Sequence, residues 1–273
     1  MITDATKIKF DVSARAMGLW NSAIKPAAKA DNEINIFEEI GADPWTGGGI
    51  TAASIKARLD NIGDGDVVVN INSPGGDMFE GLAIYNLLRA HSGAVSVRVL
   101  GLAASAASLV AMAGQNIEIA KAGFLMIHNA WVMAVGNRLD LRAIADTLET
   151  LDDAMAGIYA DRSGAAVADI TAKLDAETWI GGQEAIDMGL ADALLPADQI
   201  AVEQDSAASA AARLDQALAK TGMPRSERRK LMQQVKAGTP SAAEDDTPRA
   251  VDEGKRFYLA AVTEAIPQFK EKI

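Results

Sequence analysis

Short apolar, β-branched runs alternate with amphipathic segments through the middle of the chain. The runs predict strands at 34–37, 67–71, 95–99, 117–120 and 124–127. The segments between them predict helices at 51–61, 78–91 and 103–113, and loops at 44–49 and 72–76. In the first helix the apolar spacing puts Ile55 and Leu59 on the inner face. Strands alternating with helices of this length are typical of an α/β domain with a largely parallel sheet.

A longer helix is predicted between 137 and 163. Its apolar residues recur at alternating spacings of three and four, with acidic residues between them: Leu141, Ile144, Leu148, Leu151, Met155 and Ile158. Two interpretations remain open. The helix packs on its own sheet, or it projects and packs against another subunit. So narrow a seam favours the second.

The two ends of the chain differ from this middle part. Residues 1–32 are weakly patterned, 33–196 form the predicted globular domain, and 197–273 read as a flexible tail with short helices. The tail signals are an Ala/Ser-rich stretch at 206–212, four basic residues within 225–230, a polar acidic linker at 238–248 and a helical pattern at 251–266. The basic cluster is better explained as a solvated helix face than as a nucleic-acid site.

Composition narrows the functional classes. A formal net charge of −11 argues against nucleic-acid binding. The chain has no cysteine and two histidines, so we expect no thiol chemistry, no metal site and no cofactor. No apolar run approaches the roughly 18 residues of a membrane span, and 1–12 contain no secretory signal pattern. We therefore expect a soluble, cytoplasmic protein.

Two segments could carry nucleophilic chemistry. Ser105 lies among small residues where a strand gives way to a helix, and a helix N-terminus favours developing negative charge. His128 follows the strand at 124–127, at the carboxyl end where α/β folds gather their sites. Each segment alone also fits a purely structural role. Ser108 is the rival nucleophile, but we expect it one turn inside the helix and buried, and His91 fits a solvated helix end.

The loop at 72–76 is the third element. Its sequence, Asn-Ser-Pro-Gly-Gly, ends in two glycines directly after a strand. Backbone N–H groups in such a loop can point outward and stabilise an oxyanion. As an isolated motif it is also an ordinary turn.

Together the three motifs resemble the proteolytic subunit of the Clp protease. Segments 72–76, 101–105 and 126–129 occur in the order and approximate separation found in that family, and the resemblance covers about 33–196. Segments 81–86, 101–108 and 176–179 resemble the phage or prophage branch that acts in head maturation.

The resemblance implies roles for four residues. Ser105 would be the nucleophile and His128 the general base. The backbone N–H groups of Gly76 and Ala106 would form the oxyanion hole.

The resemblance identifies the acid of the catalytic Ser-His-acid triad less directly. Aligning Glu184-Ala185 and Gly189-Leu190 with the family puts Glu177 at the acid position, where the family carries aspartate. Asp175 is the second candidate.

The resemblance further implies a crotonase-like superhelical fold with a projecting handle helix. The expected activity is that of an ATP-independent serine endopeptidase that processes scaffold or capsid proteins. We expect a homo-oligomer, with a ring as one form, in the host cytoplasm or inside the prohead. No Walker-type P-loop occurs in the sequence. The alternatives are an acyl-CoA enzyme of the crotonase type, an inactive structural or scaffolding protein whose tail binds capsid, and a signal-peptide peptidase. The last would need a membrane anchor and a serine–lysine pair.

Overall fold

A computed structural model describes residues 8–10, 12–28, 30–42, 49–202, 214–215, 217–218, 221, 223 and 225–238. The chain divides into two compact units, Met1–Lys220 and Thr221–Ile273. In the second unit the described helix is Arg225–Gly238, here α8, which contains the predicted basic cluster. The tail segments predicted at 206–212 and 251–266 lie outside the described residues, as does almost all of the linker at 238–248.

Strands and helices alternate through the first unit. The strands are β1 (Ile8–Phe10), β2 (Ile24–Pro26), β3 (Glu33–Ile36), β4 (Gly41–Ala42), β5 (Gly49–Ile50), β6 (Val67–Ser73), β7 (Val95–Ala104), β8 (Asn116–Ala120), β9 (Phe124–Ile127), β10 (Val132–Ala134), β11 (Thr178–Gly181), β12 (Ala193–Leu195) and β13 (Ile200–Val202). The helices are α1 (Ala14–Leu19), α2 (Ala52–Ile62), α3 (Met78–Arg89), α4 (Ala106–Ala111), α5 (Arg138–Ser163), α6 (Val167–Asp175) and α7 (Gly182–Asp187), followed by a 3-10 turn at Ala197–Gln199.

The central sheet has seven strands. Its main path runs β11-β9-β7-β6-β3, and β8 joins β7 to β12. All of its pairings are parallel except the one between β11 and β9. The predicted α/β fold with a largely parallel sheet is therefore confirmed. Its parallel strands bring their carboxyl ends to one edge, where polar side chains can converge.

Strand β7 is longer than the pattern predicts. Its first half pairs with β8, and its second half, Leu102–Ala104, pairs with Phe124–Met126 of β9. The prediction that a helix begins at 103 is therefore wrong, because α4 begins at Ala106. Alanine is a good helix former, but here pairing with β9 outweighs that local preference. The longer strand carries the chain directly to Ser105.

The first two long helices follow the sequence pattern closely. Helix α2 begins after Thr51, which caps it together with Ser54, and Ile55 and Leu59 are buried as predicted. Helix α3 begins at Met78 and ends two residues before the predicted end at 91. Of the predicted loop at 44–49, only Gly49 is described, and it belongs to β5.

Helix α5 has 26 residues and begins after the capping side chain of Asn137. In its second half Met155 is buried in the core, with Leu151 and Ile158 packed against the same cluster. In its first half Ile144 is also buried, whereas Leu141 is 45% exposed. The seam therefore serves the chain's own core at one end, while contact with another subunit at the other end stays a prediction.

The N-terminal segment packs on the domain. Helix α1 buries Ala16, Met17 and Trp20 in a small cluster with Leu102, Ala104 and Met126. Strand β2 pairs with β13, so described structure of the first unit continues past the predicted boundary at Pro196. Strand β1 pairs antiparallel with β10. Among the described residues, no helix is long and apolar enough to cross a membrane.

Candidate active site

Ser105 occupies a sharp turn between β7 and α4. Its backbone has φ 54° and ψ −126°, and a positive φ is uncommon for a residue with a side chain. The Ser105 N–H donates to the carbonyl of Met126 at 2.8 Å, which ties the turn to β9. Gly75 lies so close that a Cβ there would come within 2.5 Å of the Ala104 carbonyl oxygen and 2.7 Å of Ser105 Cβ. The strained turn is thus packed against the glycine loop.

The side chain of Ser105 contacts His128. Ser105 Oγ and His128 Nε2 are 2.8 Å apart, and the hydroxyl donates when Nε2 carries no proton. Ser105 precedes α4 but its side chain does not cap the helix, so the hydroxyl is available to the histidine. His128 comes directly after β9, so two neighbouring parallel strands deliver the pair to the same edge.

The protonation of His128 is shifted by its surroundings. Burial lowers the pKa of His128 below its usual value, and the negative charge of Glu177 opposes that shift without overcoming it. At neutral pH the imidazole is therefore in the uncharged form that can accept a proton.

Two backbone N–H groups lie beside the serine. Ile40 is hydrogen-bonded to both sides of Gly76: its N–H donates to the Gly75 carbonyl, and its carbonyl accepts from the Asp77 N–H. The N–H of Gly76 takes no part in this bridge. Ala106 is the first residue of α4, where a backbone N–H has no partner within the helix. Both residues line the small pocket that contains Ser105. The structure thus brings together all four residues for which the resemblance implied the roles of nucleophile, base and oxyanion hole.

Glu177 and Asp175 both lie near the histidine, at different positions. Strand β11 pairs antiparallel with β9 and begins with Thr178 opposite Ile127, so Glu177, in the turn just before β11, lies close to His128, just after β9. Asp175 accepts a hydrogen bond from Asn129 Nδ2 at 2.7 Å instead. Among the described residues neither carboxylate is within hydrogen-bond distance of the His128 ring.

The other two candidate residues have structural partners. Ser108 is 0% exposed and its hydroxyl lies 2.7 Å from the Ser105 carbonyl, 2.9 Å from the Met126 carbonyl and 2.8 Å from the Tyr159 hydroxyl. It is buried as predicted. His91 Nε2 is 2.8 Å from the carbonyl of Gly65, at the end of the sheet where β6 and β7 begin.

The first two residues of the 72–76 motif bond the end of β6 to neighbouring segments of the chain. Asn72 Nδ2 donates to the carbonyls of Asn21 and Ile24, which fastens the N-terminal segment to β6. Ser73 Oγ donates to the Glu38 carbonyl at 2.6 Å. These contacts fix the strand from which the glycine loop departs.

Several residues at the site were not found by sequence reasoning. Tyr159 of α5 and Trp131 line the pocket with Ser105 and His128. Arg15 of α1 pairs with Glu177, its NH1 lying 3.7 Å from Oε1. Tyr159 and Arg15 carry no local signal, because each reaches the site from an element that is remote in sequence, whereas Trp131 lies only three residues after His128.

A strained serine hydrogen-bonded to a half-buried histidine, at the carboxyl ends of parallel strands, has the geometry of an acyl-transfer hydrolase. Comparison with known proteins identifies the family. The model of the family described as Clp protease matches residues 54–198, and the chain belongs to that family.

Its curated relatives are proteolytic subunits by name. The ATP-dependent Clp protease proteolytic subunit of Bacteroides fragilis is 32% identical over 151 residues, which cover 53% of this chain and 73% of the relative. The protein of that name from Ligilactobacillus salivarius is 32% identical over 138 residues, 48% of this chain and 67% of the relative. Proteolytic subunit 3 of Rhodococcus jostii is 32% identical over 130 residues, 46% of this chain and 64% of the relative. This relationship supports a peptidase activity.

Proposed function

We propose that the chain is a serine endopeptidase in which Ser105 attacks the peptide carbonyl and His128 acts as general base. The observation that carries the proposal is the 2.8 Å contact between Ser105 Oγ and His128 Nε2 at a strained helix N-terminus. Membership of the Clp protease family supports the same chemistry.

The reaction follows from the positions of these groups. His128 Nε2 takes the hydroxyl proton as Ser105 Oγ bonds to the carbonyl carbon, and the carbonyl oxygen becomes an oxyanion. The N–H groups of Gly76 and Ala106 stabilise that charge. His128 then gives the proton to the departing amine as the C–N bond breaks, and water releases the acyl group from Ser105 by the same route in reverse.

We assign the acid role to Glu177 rather than Asp175. Glu177 directly precedes Thr178, which pairs with Ile127 next to His128, and its charge acts on that imidazole. Asp175 is engaged with Asn129. The Glu177–His128 contact must shorten for the acid to hold the imidazole, and catalytic hydrogen bonds often tighten only with bound substrate.

Labelling with a fluorophosphonate tests the nucleophile. The probe bonds to an activated serine, and peptide mass spectrometry locates the adduct. We expect one adduct on Ser105 in the wild type, none in Ser105→Ala, and an undiminished adduct in the matched control Ser108→Ala. An adduct on Ser108, or none on folded wild-type protein, would overturn the assignment.

We further infer that the substrates are scaffold or capsid proteins of a phage. The support is the resemblance of 81–86, 101–108 and 176–179 to the head-maturation branch. In this proposal the enzyme works without an ATPase, although its curated relatives are named as ATP-dependent. Co-expression with the capsid and scaffold proteins of the encoding phage should give cleavage that Ser105→Ala abolishes. Intact scaffold beside active enzyme would contradict it.

Assembly into a homo-oligomer, with a ring as the simplest closed form, belongs to the same proposal. Its support is the exposed apolar side chains at the start of α5, Leu139 and Leu141, and those of Trp131 and Met133 just before it. Light scattering at micromolar protein should give a mass several times that of the 28.6 kDa chain. A monomeric mass would exclude this part of the proposal.

A further inference from the structure

Arg15 of the N-terminal helix α1 contacts Glu177, the proposed acid of the triad. Helix α1 lies before the segment 54–198 that the family model matches. It is held in place by Trp20, whose Nε1 donates to the Asn72 carbonyl at 2.9 Å, and by its buried side chains. Arg15 extends from this helix to the turn that carries Glu177.

Arg15, Trp179 and Glu177 contact one another. The guanidinium of Arg15 lies over the indole of Trp179, 5.1 Å from the ring centroid, in a cation–π contact. Arg15 NH1 is 3.7 Å from Glu177 Oε1. Trp179 Nε1 donates a hydrogen bond to the same oxygen at 3.2 Å. Within the described part of the chain both contacts to the carboxylate fall on Oε1, which leaves Oε2 for another partner.

The backbone of Glu177 favours this arrangement. Its φ is 47°, in the left-handed region that few residues with side chains adopt. The turn places Glu177 directly before β11, whose first residue Thr178 pairs with Ile127, and Trp179 is the second residue of that strand. A carboxylate with one oxygen held by a hydrogen bond and an ion pair has fewer orientations left for the other.

We propose that Arg15 and Trp179 are positioning residues, which fix the Glu177 carboxylate through Oε1 and moderate the charge that it presents to His128. This inference rests on the proposed function, since it requires Glu177 to be the acid. Neither residue touches the reacting atoms.

Among the described residues Arg15 contacts Glu177 and Trp179, and no contact joins it to the His128 ring. The remaining ionisable groups around His128 are carboxylates with other partners and one phenol. Asp152 of α5 accepts from the Ala130 N–H, Asp175 accepts from Asn129, and Tyr159 is bonded to Ser108. Removal of Arg15 leaves the charge of Glu177 uncompensated, which favours the protonated imidazole and raises its pKa. Because the Arg15 side chain is 65% exposed, solvent limits the rise to about 0.2–0.6 of a pH unit.

NMR titration of the histidines measures this directly. With only two histidines in the chain, the Cε1–H resonances of His128 and His91 are resolvable, and His91 is the internal reference. The Ser105→Ala background removes self-cleavage. We expect Arg15→Ala to raise the pKa of His128, Arg15→Lys to restore most of the wild-type value, and His91 to remain unchanged.

Kinetics supply the second readout. Trp179→Phe keeps the ring beneath Arg15 and removes the N–H to Glu177. We expect kcat to fall about 3- to 10-fold with little change in KM, because the group acts on the triad and not on substrate binding. Thermal unfolding of each variant checks that the fold is retained.

The outcomes separate this inference from the proposed function. If Glu177→Gln lowers kcat but Arg15→Ala leaves the His128 titration unchanged and Trp179→Phe leaves kcat unchanged, the positioning role is overturned and the peptidase mechanism stands. If Glu177→Gln changes neither readout while Ser105 is still labelled, both the acid and its positioning residues are wrong. Loss of Ser105 labelling in the wild type would instead overturn the proposed function itself.

Discussion

The buried hydroxyl pair of Ser108 and Tyr159 allows a quantitative test of how α5 is tied to the nucleophile turn. The Ser108 hydroxyl has one proton, which goes to the carbonyl of Ser105 or of Met126. It therefore accepts from the Tyr159 hydroxyl, which is 2% exposed and has Ser108 as its partner. Burial raises the pKa of Tyr159 well above its usual value, so the phenol keeps its proton.

The expected magnitudes follow from this geometry. Ser108→Ala leaves a buried phenol unpaired, which costs about 2 kcal/mol, whereas both carbonyls still accept backbone N–H groups. Tyr159→Phe removes one hydrogen bond from a serine that keeps a carbonyl acceptor, at about 1 kcal/mol. Independent effects would sum to about 3 kcal/mol. Because the double variant has no orphan hydroxyl, we expect it to be destabilised by only about 1–1.5 kcal/mol, a coupling of about 1.5–2 kcal/mol.

Urea unfolding of the four proteins at matched concentration gives these values, provided that each shows the same cooperative transition. Fluorophosphonate labelling of Ser105 in Ser108→Ala confirms that the turn survives. A double variant destabilised by the full sum of the single effects would refute the proposed direction of the hydrogen bonds, and with it the link between α5 and the turn.

Three further predictions concern the site. The acidic limb of the kcat/KM profile should lie below pH 6.5, since burial lowers the pKa of the base and keeps it neutral to lower pH; a limb above 6.5 would contradict this. Gly76→Ala should reduce kcat about 100-fold or more and lower the thermal midpoint, because a Cβ there would overlap the Ile40 carbonyl; an active, stable variant would remove Gly76 from the oxyanion hole. Glu177→Gln should lower kcat far more than Asp175→Asn in peptide hydrolysis, and the reverse order would move the acid to Asp175.

Local pattern was enough to predict most of the framework. The β-branched runs identified the strands because buried parallel strands need apolar side chains on both faces. The inner face of α2, with Ile55 and Leu59, was equally readable. The pattern failed at the end of β7, where Ala103 and Ala104 have helix-forming side chains but pair with β9. What extends β7 there is its tertiary pairing with β9, and the local sequence around 103 does not reveal that pairing.

The same distinction applies to the site: local sequence could predict some of its residues, and the others depend on tertiary contacts. Ser105, His128 and the glycine loop stand in short motifs at strand ends, so their convergence could be expected from a parallel sheet. The contacts made by Arg15 and Tyr159 could not, because a single helix pattern does not say which neighbour its polar residue will meet. Glu177 is intermediate: its position could be aligned, but its approach to His128 depends on the pairing of β11 with β9.

Hydrolysis of an unfolded protein substrate by the purified chain, without nucleotide or partner ATPase, tests the central claim most directly. The account predicts that mass spectrometry will detect new peptide termini with the wild-type protein, and that Ser105→Ala and His128→Gln will each lower the rate by about 10⁴-fold or more. Equal cleavage by wild type and Ser105→Ala, or no cleavage by correctly folded wild type, would contradict it.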